Sequence, residues 1–410
     1  MTNKIQPEIR FSKYSDSWVK RKVGDFSEET FGGGTPKTSV KEYWDGELAW
    51  IQSSDLEEHK ISGVIPKKKI SKSALRESAA RLIPKNSIAI VTRVGVGKIA
   101  IMDYEYATSQ DFLSLSQLTL DRWFAGYSLY NKLQKELLNV QGTSIKGVTK
   151  NELLDKVIYI PLNKEEQTNL GSFFKQLDDT ISLHQQELTT LKKTKQGFMQ
   201  KMFPKEGETI PEVRFPGFSG EWTTVTLGEI GKIKSGIGFP DSEQGGTEGV
   251  PFFKVSDMNV KGNENVMLKA NNYVSLEQVK NKNWRPIEEV PAVIFAKVGA
   301  AIMLDRKRLI KTPFLIDNNV MAYSFDETWN TDFGYSLFQT LYFPKYAQVG
   351  ALPSFNASDI GAIKVKLPRK EEQATIGKFF KQLDETIELH EKELEALKET
   401  KKAFLQKMFV

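Results

Sequence analysis

The residues that could do chemistry are few. The chain has no cysteine, which removes thiolate nucleophiles, disulfides and every cysteine-based zinc site. Its only histidines are His59, His184 and His390. That is too little for a catalytic triad or a histidine-rich metal centre, and no metal site is expected. GVGK at 95–98 invites a phosphate-loop reading. That motif needs glycine where Thr92 stands and Ser or Thr where Ile99 stands, so the stretch reads as a turn between strands. No Pro-Pro dipeptide exists, so the Asn/Asp-Pro-Pro-Tyr/Phe signature of DNA methyltransferases is absent. The acids of PDSEQ (240–244) lack the spacing of a PD-ExK nuclease. No catalytic residue and no cofactor are expected in this chain.

What the chain does carry is polar loops rich in hydrogen-bond donors and acceptors: GGGTPKTS (32–39), IPKKKISKS (65–73), KVSDMNVKGNEN (254–265) and DRKRLIK (305–311). Such side chains bind phosphates and base edges. The candidates for DNA contact are Lys37, Gln52, Ser54 and Arg93 in the first half, and Lys254, Ser256, Lys297 and Asn318 in the second.

These loops must be held by a frame, and the frame is written twice. FFKQLD occurs at 173–178 and again at 379–384, inside two longer matching segments, 165–203 and 371–409. Upstream, PEIRF with Trp18 recurs as PEVRF with Trp222. Between the matching ends the copies diverge, with faint echoes such as WIQSSDL (50–56) and FFKVSDM (252–258). In each long segment a stripe recurs in steps of four and three. It runs through Phe174, Leu177, Ile181, His184, Leu188, Leu191 and Phe198, and again through Phe380, Leu383, Ile387, His390, Leu394, Leu397 and Phe404. Sustained heptads without proline predict helices about 60 Å long that bury the stripe against each other as an antiparallel coiled coil. The histidines in the stripe read as packing or register residues. Residues 164–203 carry six basic and five acidic residues and 370–409 carry eight and nine, so the net charge of +5 lies outside them. A modest basic excess there suits an anionic partner.

The expected organisation is a globular domain over 1–162, a helix over 163–203, a linker over 204–210, a second globular domain over 211–368 and a second helix over 369–410. Both globular halves read as α/β (α+β). SIAIVTRVGVGKIAIM (87–102) predicts two strands around a turn, WFAGYSLYNKLQKELLNV (123–140) a helix, and VIYIPL (157–162) a closing strand. AVIFAKVGAAIML (292–304), FGYSLFQTLYF (333–343) and IKVKL (363–367) repeat that order. Charged residues make up 27% and no apolar run approaches a membrane span, so a soluble protein is expected. The N-terminal MTNKIQPEIRF has no apolar core of a signal peptide, so a cytoplasmic location is expected.

The duplicated EEQ…FFKQLD…LH…QKMF segments, the PEIRF and PEVRF entries and FGGGTPKTSVKEYWDGELAWI (31–51) together resemble the specificity subunit of type I restriction–modification systems. The resemblance spans nearly the whole chain. It implies two target-recognition domains, each reading one half of a bipartite site in double-stranded DNA, held at fixed separation by the two helices. It implies two modification subunits docked on the repeated frame, carrying the S-adenosylmethionine chemistry, and restriction subunits with ATP- and Mg-dependent motors outside them. The second half has SGIGFPDSEQGGTEGVPFF (235–253) in place of GGGTP, so loop contacts do not transfer residue by residue there. The rival reading is a coiled-coil scaffold that bridges two proteins without touching DNA. Salt-dependent binding to duplex DNA separates the two.

Overall fold

The computed structural model describes residues 4–139, 147–348 and 352–410. It contains two compact units, and their limits fall inside the long helices rather than at their starts. Unit 1 is Met1–Gln186 with Glu391–Val410, and unit 2 is Glu187–His390.

In unit 1 a four-stranded antiparallel sheet runs in the order Ser27–Gly32, Phe112–Leu118, Ser87–Val91, Ile99–Met102. A three-stranded sheet places Leu48–Ile51 between Lys68–Ile70, antiparallel to it, and Tyr106–Thr108, parallel to it. Entry strand Val19–Lys22 pairs with Val157–Ile160 just before the first long helix. Unit 2 repeats the plan. Its four strands are Gly231–Ser235, Val320–Phe325, Ala292–Ala296 and Lys307–Ile310, and its three are Tyr273–Val274, Val250–Phe253 and Leu315–Ile316. Thr223–Thr226 pairs with Lys364–Leu367. The architecture is mixed α/β, as the sequence predicts.

Two elements differ from expectation. The stretch 300–304 was expected as a returning strand, but Ala300–Leu304 is a 3-10 turn, entered at Gly299 (φ 80°) and left at Asp305 in the left-handed region (φ 48°). The returning strand is Lys307–Ile310, inside the stretch expected as a polar loop. Charge hid it. Lys307 is 1% exposed, and its ammonium is held 2.8 Å from Asp305 Oδ1 and 2.7 Å from the Leu341 carbonyl, over the Phe343 ring. Burial pulls its pKa down. In unit 1 the helix after the sheet spans Arg122–Asn139; Val140, where the sequence ends it, lies outside the described residues.

The long helices are Lys164–Lys201 and Lys370–Lys407, 38 residues each. Each unit contains the start of one helix and the end of the other, packed antiparallel. In unit 1 the Phe174 ring lies 5.4 Å from Phe409, Phe173 lies 5.3 Å from Phe404, and Asp178 meets Lys401, so one chain ascends as the other descends. In unit 2 Phe203 lies 5.7 Å from Phe380, Phe198 lies 5.1 Å from Phe379, and Lys195 meets Asp384. The terminal Phe of each QKMF thus plugs a core. Phe409 sits against Phe124 (5.8 Å) and Trp18 (6.5 Å), and Phe203 against Phe333 (5.6 Å) and Trp222 (6.1 Å).

Glycine explains how closely the globular part can approach the helix. A Cβ on Gly171 would stand 2.7 Å from the Phe124 nitrogen, and one on Gly377 2.5 Å from the Phe333 nitrogen. Each glycine costs helix propensity yet lets the N-terminus of an earlier helix, Arg122–Asn139 or Thr331–Thr340, cross against it.

Candidate nucleic-acid interface

The site begins with how the frame is locked. The second Glu of each EEQ is 2% or less exposed and receives a two-pronged ion pair from the arginine of the entry segment. Arg10 Nε and Nη2 reach Glu166 at 2.7 and 2.9 Å, and Arg214 reaches Glu372 at 2.7 Å with both nitrogens. The glutamine of each EEQ spans two strands of chain. Gln167 donates to the Pro161 carbonyl (2.8 Å) and accepts from the Asp121 amide (3.2 Å); Gln373 donates to Pro368 (3.1 Å) and accepts from Asn330 (2.8 Å). Charged, forked hydrogen bonds of this kind fix orientation as well as energy.

Within unit 1, Gln52, Ser54 and Arg93 come to one end of the sheets. Gln52 is the first residue past the strand Leu48–Ile51, whose last carbonyl accepts from the Ser109 amide at 2.9 Å. The turn Ser53–Asp55 follows, with Ser54 exposed. Arg93 is exposed at the start of the hairpin after Ser87–Val91, beside Val94, which is 70% exposed. The turn and the hairpin adjoin, since a Cβ on Gly95 would lie 3.9 Å from Ser53 Cβ. Lys37 is exposed, on a loop whose carbonyl at that residue accepts from Trp44 Nε1 at 3.2 Å. The GVGK lysine is structural: Lys98 Nζ donates to the Leu56 carbonyl at 3.0 Å.

Within unit 2, Lys254, Ser256, Lys297 and Asn318 gather at the matching end. Lys254 follows the strand Val250–Phe253, and Ser256 is exposed on the turn Val255–Asn259. The Lys297 amide, just past Ala292–Ala296, donates to the Asn319 carbonyl at 2.9 Å, next to exposed Asn318. Lys254 is half-buried, and its ammonium donates to Gln244 Oε1 at 3.2 Å. Asp317 accepts from the Asn319 amide at 3.0 Å, and burial still pushes its carboxyl above the usual range. The acids of PDSEQ are structural in part: Glu243 pairs with Lys282 at 2.8 Å and accepts from Gln278 at 3.0 Å.

Two further sets of residues stand out in the structure: one lies in the polar loop 65–73, whose residues are not singled out as candidates, and the other goes unnoticed in the sequence. Lys67 donates to the Ser54 carbonyl at 3.2 Å, and Lys68 lies 5.4 Å over Trp44 and 5.7 Å over Trp50, which adds basic and aromatic groups beside the first turn. The run KKK starts seventeen residues after Trp50, too far for a local pattern to join them, and it is the strand Lys68–Ile70 that brings Lys68 beside Trp50. The second set is the aspartate of each FFKQLD. Asp178 and Lys401 form an ion pair at 2.5 Å with side chains 6% and 7% exposed, and Tyr127 Oη donates to Asp178 at 2.6 Å. Asp384 pairs with Lys195 in unit 2. Here burial holds the Asp384 carboxyl above its usual range despite the lysine.

The stripe residues are placed as follows. In unit 1, Phe174 and Leu394 are buried, and Leu177, Ile181, His184, Leu397 and Phe404 are half-buried. In unit 2, Leu188, Phe380 and Ile387 are buried, and Leu191, Phe198, Leu383 and His390 are half-buried. His184 Nδ1 lies 3.9 Å from Glu393, and His390 Nδ1 lies 3.9 Å from Glu187.

No described helix is long and apolar enough to cross a membrane. A family model described as "Type I restriction modification DNA specificity domain" matches residues 15–193 and 219–399, once per half. The chain is 24% identical over 418 residues to the specificity subunit of the type I restriction enzyme MjaIX of Methanocaldococcus jannaschii, covering 98% of this chain and 94% of that one. It is 25% identical to the MjaVIII specificity subunit of the same organism, over 97% and 93%. Its fold matches the crystal structure of a type I restriction–modification S subunit from M. genitalium, with a TM-score of 0.65, 18% identity and 99% of both chains covered. A chain from a structure of complex assembly and conformational transition in the type I system matches with a TM-score of 0.54, 16% identity, and 95% and 97% coverage. With the specificity domain matched in both halves of one repeated frame, this chain belongs to the family of type I restriction–modification DNA specificity subunits.

Proposed function

We propose that each half of this chain reads one half of a bipartite site in double-stranded DNA, and that modification subunits dock on the repeated frame, one per half. As a specificity subunit the chain is not an enzyme by itself and works with the other subunits of a type I system. Methyl transfer from S-adenosylmethionine, and ATP- and Mg-driven restriction, belong to those partners in this reading, and the assembly is cytoplasmic. The target-recognition domains cover 1–162 and 211–368, the helices 163–203 and 369–410, and 204–210 links them.

One observation carries the reading. The same backbone frame, down to the Arg–Glu forks and the Gln bridges, presents different side chains at matching strand ends: Gln52, Ser54 and Arg93 in one unit, Lys254, Ser256 and Lys297 in the other. A repeated frame suits a repeated partner, and unlike tips suit unlike targets. The outward faces of the helices support a shared docking frame too, as Leu183 and Leu389 stand 55% and 56% exposed at matching positions of the repeat. One exposed leucine is ordinary; the same one twice on a duplicated helix offers equal contacts.

The test is an exchange. Replacing residues 26–153 by the matching stretch of another specificity subunit should change one half-site of the methylated sequence and leave the other intact. A change in both halves, or methylation without any bipartite preference, overturns the reading. The purified chain should also bind duplex DNA with an affinity that falls as salt rises. Salt-independent or absent binding, with partner proteins still bridged, would favour the scaffold.

A further inference from the structure

The two turns at the strand ends share one construction. In unit 1 the Gln52 amide donates to Asp55 Oδ2 at 3.0 Å and its carbonyl accepts from the Asp55 amide at 2.9 Å. In unit 2 the Lys254 amide donates to Asp257 Oδ2 at 2.6 Å and its carbonyl accepts from the Asp257 amide at 3.1 Å. Both aspartates are buried, Asp257 completely. The preceding residue is fixed as well. Ile51 pairs in parallel with Thr108, and Phe253 with Ile316, each carbonyl taking the next amide of its neighbour. Asp257 Oδ1 further accepts the Asn271 amide at 2.7 Å, which ties the long loop of unit 2 to its turn. A residue so held has little backbone freedom, so its side chain leaves the protein from a set point. That is what a reading group needs, because hydrogen bonds to base edges depend on placement within about half an ångström.

The occupants differ in chemistry. Gln offers one acceptor and two donors on a planar amide, which match the N7 acceptor and N6 donor of adenine. Lys offers donors only, which match the N7 and O6 acceptors of guanine. Gln52 is half-exposed, and Lys254 currently spends one donor on Gln244 Oε1, an acceptor that a guanine edge can replace.

We propose that Gln52 and Lys254 are equivalent base-reading positions, each set by a buried aspartate, and that the first half-site carries an adenine at this place and the second a guanine. The inference rests on the reading of bipartite DNA recognition and adds to it which residue meets which base. Asp55 and Asp257 are positioning residues: they hold the turn and do not touch DNA.

The experiment uses the full chain in complex with its modification subunits, and maps methylated sites in a library of random duplexes. Gln52→Lys should convert one position of the first half-site from adenine to guanine preference and leave the second half-site unchanged. Lys254→Gln should do the reverse. The preference at stake is roughly 5- to 150-fold. Asp55→Ala should relax that same position alone, and Asp55→Asn, whose amide oxygen can still accept the Gln52 amide, should restore it. Unchanged motifs in both exchange variants, with methylation retained, overturn the proposal while leaving bipartite recognition standing. Uniform loss of methylation in both, with the fold intact by circular dichroism, also overturns it, since a reading position must change preference rather than abolish activity. A wild-type complex with no sequence preference would sink the underlying reading as well.

Discussion

Substituting Lys401 by Met should destabilise unit 1 and leave unit 2 untouched. The ammonium makes two contacts, 2.5 Å to Asp178 Oδ1 and 2.8 Å to the His59 carbonyl, and both charged side chains are under a tenth exposed. Met keeps most of the volume but strands the Asp178 carboxylate with only the Tyr127 hydroxyl as donor. Removing one partner of a buried pair costs about 3–5 kcal/mol, because the survivor stays desolvated and uncompensated. A local opening constant would rise by roughly two to three and a half decades. Adding Asp178→Leu removes the stranded charge and should recover most of the loss, leaving about 1–3 kcal/mol for the orphaned Tyr127 hydroxyl. Adding Tyr127→Phe should recover that too. Because a single melting temperature would blend two units, hydrogen exchange is the assay. Amides of 164–186 and 391–410 report the change, and those of 211–368 serve as the internal control. A Lys401→Met protein within about 1 kcal/mol of wild type in unit 1 would refute the reasoning, since the pair would then be hydrated despite its burial.

Gly171→Ala and Gly377→Ala should each weaken their own unit by about 1–3 kcal/mol even though alanine favours helix, because the new methyl has no room beside the Phe124 or Phe333 nitrogen; urea unfolding followed by exchange would show stabilisation instead if the crossing were loose. Burial holds the Asp317 carboxyl above its unfolded value, so its contribution to stability is full below the unfolded pKa and is lost as pH rises through the folded one. Asp317→Asn, which mimics the protonated form, should therefore compare more favourably with wild type at pH 7 than at pH 4, and equal differences in opening free energy at both pH values would contradict this.

The repeat, the long helices and the mixed α/β class were legible because they rest on identity between copies and on heptad spacing, both of which survive without coordinates. Lys195 and Lys401 stand at the four-residue step after Leu191 and Leu397, in line with the stripe, but their partners are not visible in the sequence. Asp178 and Asp384 fall beside the stripe, where a polar residue reads as solvent-facing, and only the approach of the other helix makes them interior. The strand Lys307–Ile310 was hidden for a related reason: its charge is neutralised by Asp305 and a carbonyl 34 residues further on, contacts that no local pattern contains. Among the recognition candidates, composition picked polar loops, and the folded chain brings Gln52, Ser54 and Arg93 together in one unit and Lys254, Ser256, Lys297 and Asn318 in the other. Lys37 shows the limit, since its contact with Trp44 is one that a lysine in a Gly-Thr-Pro loop does not announce.

The plugging of unit 1 by the end of the second long helix has a consequence for how the protein is made. Phe404, Leu405, Met408 and Phe409 belong to the core built around Trp18, Phe124 and Phe174. Synthesis delivers them only after the whole of unit 2. Unit 2 has its full complement once His390 has left the ribosome, whereas the unit translated first must also wait for Glu391–Val410. Its closing contacts join positions nearly four hundred residues apart, the kind of long-range pairing that forms slowly. A stop a few residues beyond His390 would therefore spare the second reader and cripple the first, so that damage downstream of one reader is felt by the other.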